Sequence, residues 1–66
     1  MEVGITQLPR LYEHRTRRGL TQRELAILSG VGRDTIAKLE TTPRKATPET
    51  ARKLARVLKV RPQELM

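Results

Sequence analysis

The chain has 66 residues, which is enough for one small domain, and we expect residues 1–66 to form a single one. It contains no cysteine and one histidine, His14, so disulfides and cysteine- or histidine-based metal sites are excluded, and we expect no cofactor. No apolar run approaches the roughly 20 residues of a membrane span, and the N-terminus has no secretory signal. We therefore expect a cytoplasmic protein with no membrane partner.

The charge of the chain points to a polyanionic partner. Lys and Arg number 14 against seven Asp and Glu, a net charge of +7, and most of the excess lies in residues 41–61. This balance favours nucleic acid first and an anionic membrane surface second. The single aromatic residue, Tyr12, cannot provide the stacking surfaces of single-strand binders, so duplex DNA is the favoured partner.

The first two helices are marked by their end signals. Pro9 fits the first turn of a helix over residues 9–18, which Gly19 can end in a left-handed conformation. Thr21 begins the sequence Thr-Gln-Arg-Glu, a capping box that predicts a second helix over residues 22–29. Leu8, Leu11 and Tyr12 share one face of the first helix, while Leu25, Ala26 and Leu28 are predicted to face inward from the second and Ile27 outward.

A glycine turn and a third, short helix follow. Gly30 and Gly32 are separated by one residue, a spacing that fits a tight turn placing two helices against each other. We expect the third helix over residues 33–40. The residues predicted to anchor it to the core are Val31, Ile36 and Leu39.

The last third of the chain predicts a loop over residues 41–46 and a fourth helix over residues 48–59, capped by Thr47 with Pro48 at its first position. The apolar stripe of this helix consists of Ala51, Leu54, Ala55 and Leu58. A fifth helix could begin at Pro62. No segment alternates with period two, so no strand is predicted.

No catalytic constellation is present in the sequence. There is no cysteine, the one histidine has no evident nucleophile as a partner, and the one serine, Ser29, adjoins the turn glycine. A phosphate-binding glycine loop is absent, and no strand precedes the two turn glycines. We therefore predict that the protein is not an enzyme.

Residues 22–38 combine a helix, a glycine turn and a second short helix. Ala26 allows close approach of the two helices, and Gly30 takes the backbone conformation of the turn. With its apolar side anchored, the third helix would project its other face outward, at a size that fits a major groove about 12 Å wide.

Residues 20–40 read LTQRELAILSGVGRDTIAKLE, and this segment resembles the helix-turn-helix of the phage-repressor/Cro-like family, also called the XRE family. The resemblance rests on the pattern TQ..LA...GV....I..LE and extends over nearly the whole chain, through the PETARKLARVLKV of the fourth helix. It implies an all-α, lambda-repressor-like bundle of four or five helices that binds operator DNA, usually as a dimer.

The resemblance also assigns DNA contacts to individual residues. Base edges in the major groove would be read by Arg33, Asp34 and Lys38, and Thr35 would lie near the backbone or a thymine methyl. Phosphates would be contacted by Gln22, Arg44 and Lys45, and Gln22 would also support the third helix, which is the recognition helix.

Other positions carry expectations of their own. A cation at a helix N-terminus opposes the helix dipole, which favours a ligand role for Arg33, whereas Asp34 suits that position with or without DNA. Arg15 and Glu40 match positions that often pair across the domain in the family. His14 stands where an aliphatic residue is common, and we expect it to pack partly buried.

We expect a sequence-specific, duplex-DNA-binding transcriptional regulator that acts as a homodimer on a palindromic operator, associated with the nucleoid through DNA. The basic residues of the fourth helix would form a solvated face that attracts DNA at long range. The alternative is an antitoxin-like or other protein-interaction module on the same fold. Its surface would be the apolar end of the fourth helix, namely Val57, Leu58, Val60, Leu65 and Met66.

Overall fold

Four helices make up most of the backbone. A computed structural model describes residues 6–42 and 45–66. In chain order its elements are strand β1 (Thr6–Gln7), helices α1 (Leu11–Arg17), α2 (Gln22–Ser29) and α3 (Arg33–Thr41), strand β2 (Lys45–Ala46), helix α4 (Pro48–Leu58) and a final 3₁₀ helix (Pro62–Leu65). The predicted all-α bundle with a helix-turn-helix is confirmed.

Two very short strands were not predicted. β1 and β2 pair antiparallel, with Thr6 opposite Ala46 and Gln7 opposite Lys45. Two residues are too few to show a period-two pattern, so the sequence carried no signal for them. Together with the extension of α3 through Thr41, β2 also shortens the loop predicted over residues 41–46.

The helix ends follow the predicted capping signals. Thr21 Oγ1 accepts from the Glu24 N–H at 3.0 Å, and the Glu24 carboxylate accepts from the Thr21 N–H at 2.8 Å, which completes the capping box. Gly30 ends α2 in the left-handed region at φ +77°, and Gly19 follows α1 at φ +71°. These local interactions fix where the second helix begins and ends.

Four helix ends differ from the prediction, and three of them differ by one residue only, namely the ends of α1 at Arg17, of α3 at Thr41 and of α4 at Leu58. α1 begins at Leu11 because the preceding residues form a separate turn, in which the Leu11 N–H donates to the Leu8 carbonyl and the Arg10 N–H donates to the Leu65 carbonyl. α4 ends at Leu58 because Lys59 adopts a left-handed conformation at φ +59°. The predicted fifth helix is a single 3₁₀ turn.

Among the described residues, the core is built mainly of leucines, which come from all four helices, the turn before α1 and the final 3₁₀ helix. The largest fully buried side chains are Leu8, Leu11, Leu25, Ile36, Leu54, Leu58 and Leu65. α2 packs against α3 and α4, and α1 packs against α3. The inward prediction for Leu28 is wrong: this residue is 62% exposed, because the core-facing side of α2 runs through residues 22, 25, 26 and 29.

His14 packs into the bundle, as predicted. Only 7% of the residue is exposed, and its Nε2 is buried without a hydrogen-bond partner in the described part of the chain. A buried polar atom that lacks a partner costs about 1–3 kcal/mol. The imidazole of His14 is therefore expected to lower the free energy of unfolding.

We expect His14→Leu to raise the free energy of unfolding by about 1 kcal/mol, because leucine fills much of the same space with no polar atom to satisfy. Urea denaturation followed by circular dichroism measures this change. His14→Ala is the matched control: it also removes Nε2 but leaves a cavity, and it should destabilise. A His14→Leu variant less stable than the wild type would show that the imidazole contributes more than the buried nitrogen costs.

Candidate nucleic-acid interface

The outer side of α3 is polar, and its inner side is held by the core. Ile36 and Leu39 are buried among the other helices. The four α3 residues with predicted DNA contacts are exposed, namely Arg33, Asp34, Thr35 and Lys38. Asp34 and Lys38 lie one helical turn apart, so their side chains share a face.

The turn between α2 and α3 is stabilised by local hydrogen bonds. The Gly30 N–H donates to the Ala26 carbonyl at 2.9 Å, and the Ser29 hydroxyl accepts from the Val31 N–H at 3.1 Å. Val31 itself is buried, which anchors the turn to the core. Gly32 is the N-cap of α3, and no side chain of the described residues caps this end of the helix. The first backbone N–H groups of α3 therefore donate to no side chain among these residues.

A buried ion pair joins α1 to the far end of α3, as the family resemblance implied. Arg15 donates through Nε to Glu40 Oε2 at 2.6 Å and through Nη2 to Oε1 at 2.9 Å, while Nη1 donates to the Leu20 carbonyl at 2.7 Å. The two side chains are only 10% and 2% exposed. Glu40, hydrogen-bonded to the guanidinium, raises the pKa of Arg15 above its ordinary value. The guanidinium also lies 5.2 Å from the Tyr12 ring centroid.

Gln22 has a partner that sequence reasoning missed. Its Nε2 donates to Glu40 Oε1 at 3.0 Å, and the residue is half-buried at the first position of α2. The two residues are 18 positions apart, so neither helical periodicity nor capping rules connect them. Gln22, which is predicted to contact a phosphate, is thus hydrogen-bonded to the last turn of α3.

Several cations near this surface have no side-chain partner among the described residues. Arg33, Lys38 and Lys45 are exposed, and within residues 6–42 and 45–66 they form no ion pair or side-chain hydrogen bond. Lys45 lies on β2, beyond the end of α3. Arg44, the remaining predicted phosphate contact, lies outside the described residues.

The structure also describes the two other predicted surfaces, the basic face of the fourth helix and the apolar end of that helix. Every basic residue of the fourth helix and its C-cap is exposed, namely Arg52, Lys53, Arg56 and Lys59. The apolar end considered as a protein-interaction surface is smaller than the sequence indicated, because Leu58 and Leu65 are buried in the core. Val57 and Val60 are half-buried, which leaves Met66 as the exposed member.

Two further observations concern other kinds of site. Among the described residues, no three His, Cys, Asp or Glu side chains stand close enough together to hold a metal ion. The helices of the same residues are also too short or too polar to cross a bilayer.

Comparison with known proteins agrees with this geometry. The helix-turn-helix family model matches residues 11–65. The crystal structure of the restriction-modification controller protein C.AhdI from Aeromonas hydrophila superimposes with a TM-score of 0.80 at 40% sequence identity, covering 86% of each chain. A search of curated proteins finds no match. The chain therefore belongs to the XRE family of helix-turn-helix proteins, which are DNA-binding transcription regulators.

Proposed function

We propose that this protein regulates transcription by binding a specific duplex DNA sequence with α3 in the major groove. The observation that supports this is the outer face of α3, where polar side chains are exposed and the cations Arg33 and Lys38 have no partner in the described chain. A helix whose apolar side is fixed by the core can present such side chains to base edges without rearranging.

In this proposal the residues divide into two groups. Arg33, Asp34 and Lys38 read base edges, with Thr35 near the backbone or a thymine methyl, and Arg33 is suited to the two acceptors of guanine, O6 and N7. The phosphates are held by Gln22, Arg44 and Lys45. Phosphate contacts set the position of α3 on the duplex, and the base contacts supply the sequence preference.

We further propose that two copies bind a palindromic operator. A two-fold dimer places its recognition helices on half-sites about 34 Å apart or a multiple of that distance. Since the chain is 40% identical to a restriction-modification controller protein over the 86% of its length that aligns, we propose that it controls restriction-modification genes.

Selection of bound sequences from random duplexes, together with the mass of the protein in solution, tests the proposal. We expect a palindromic consensus and a dimer mass on DNA. Failure to enrich any sequence would contradict sequence-specific binding. A chain that stays monomeric and binds all duplexes weakly would instead favour the protein-interaction module.

We expect Lys45→Ala to weaken binding to all duplexes alike and to reduce the slope of log K against log salt concentration by about 0.9, the value for one phosphate contact. Fluorescence anisotropy at several salt concentrations gives the slope. Lys53→Ala is the matched control, because it removes the same charge from α4, where Lys53 pairs with Glu49 at 3.4 Å. Equal slopes for Lys45→Ala and the wild type would contradict the phosphate contact.

A further inference from the structure

One carboxylate connects three helices beneath the proposed DNA surface. Glu40 Oε1 accepts from both Gln22 Nε2 at 3.0 Å and Arg15 Nη2 at 2.9 Å, and Oε2 accepts from Arg15 Nε at 2.6 Å. Its side chain is 2% exposed, so water has little access to these bonds. α1, the start of α2 and the end of α3 therefore meet at this group.

The carboxylate determines how the Gln22 amide is turned. A carboxylate accepts hydrogen bonds and donates none, so the nitrogen of the amide must face it, not the oxygen. The second hydrogen of Nε2 has no partner in the described residues. Because Gln22 is only half-buried, part of the side chain still reaches the surface at the start of α2.

We propose that Glu40 is a positioning residue for DNA binding: it fixes the Gln22 amide so that the second N–H of Nε2 is presented to a DNA phosphate. This inference rests on the proposed function, in which Gln22 contacts phosphate. An amide already turned to its bound orientation loses less side-chain freedom on binding than a free one. Because Glu40 belongs to α3, the amide that contacts the phosphate is held by the same helix that reads the bases.

A double-mutant cycle of Glu40→Gln and Gln22→Ala tests the inference. A glutamine at position 40 can present either a donor or an acceptor, so it no longer fixes the neighbouring amide. We expect Glu40→Gln to weaken binding to the selected operator about fivefold, the value of one ordinary hydrogen bond. In the Gln22→Ala background, the same substitution should change the affinity by less than about twofold.

The double-mutant cycle distinguishes failure of the positioning role from failure of the proposed function. Equal weakening by Glu40→Gln in both backgrounds, with a wild type that binds the operator, would overturn the positioning role alone. A wild type that binds no duplex DNA would overturn the proposed function and the positioning role with it. Circular dichroism of the four proteins at the assay temperature verifies that each is folded.

Nuclear magnetic resonance of the free wild type gives a second readout, which does not depend on whether Glu40→Gln folds. The chain has no asparagine and three glutamines, so Gln22→Ala identifies the side-chain amide signals of Gln22. We expect one of its two hydrogens to be shifted downfield and to exchange more slowly than those of the exposed Gln63. Signals identical to those of Gln63 would overturn the inference, since the amide would then be free to turn.

Discussion

Replacing Arg15 by alanine is expected to lower the free energy of unfolding by about 3–5 kcal/mol, because it leaves the Glu40 carboxylate buried without its cation. The substitution also leaves the Leu20 carbonyl without its guanidinium donor. A chain of 66 residues has a total stability of about 3–10 kcal/mol, so the substitution should remove about a third of that stability or more. Urea denaturation followed by circular dichroism measures the loss.

Two variants establish whether burial is the cause. Arg17→Ala removes an arginine that bonds Glu13 at 2.6 Å on the surface, with side chains 62% and 43% exposed, and it should change stability by less than about 1 kcal/mol. Arg15→Met combined with Glu40→Met removes both charges, and it should recover much of the stability lost in Arg15→Ala. Equal losses for Arg15→Ala and Arg17→Ala would contradict this interpretation of the buried pair.

The helices were predictable because their signals are local. The capping box at Thr21, the proline at position 48 and the glycines after α1 and α2 each act within a few residues, and all four serve the predicted roles. The apolar stripe of α4 was predicted for the same reason, since the 3.6-residue period of the helix places its members on one face.

Features that depend on distant parts of the chain were not predictable. The two-residue pairing of β1 with β2 needs the folded bundle to bring residues 6–7 beside residues 45–46. The exposure of Leu28 depends on which side of α2 faces α3 and α4, and the apolar pattern of a helix of only eight residues does not determine that side. The left-handed Lys59 carries no signal in its residue type, because glycine is the usual residue in that conformation.

Some features of the candidate site were likewise predictable, and others were not. The exposed face of α3 followed from the positions of Ile36 and Leu39, and the Arg15–Glu40 pair followed from family resemblance. The resemblance implied that Gln22 supports the recognition helix but did not give Glu40 as its partner, because the bond joins the first residue of one helix to the last turn of the next. The individual DNA contacts stay predictions until binding is measured.

Substituting Arg33 is the most direct test of base recognition. Arg33→Ala should cost about 1–3 kcal/mol of binding free energy on the selected operator and should relax the preference at one base position, because two hydrogen bonds to guanine O6 and N7 are lost together. On random duplexes the loss should be smaller, since phosphate contacts supply that binding. Fluorescence anisotropy on the operator, its single-base variants and a random duplex measures all three quantities.

Arg52→Ala is the matched control for Arg33→Ala, because it removes one exposed arginine from the basic face of α4. It should weaken operator and random duplex to the same small extent and leave the base preferences intact. Equal weakening of operator and random duplex by Arg33→Ala would remove this residue from the base-reading set. Arg33 would then act as a phosphate contact at the uncapped start of α3, and base recognition would rest on Asp34 and Lys38.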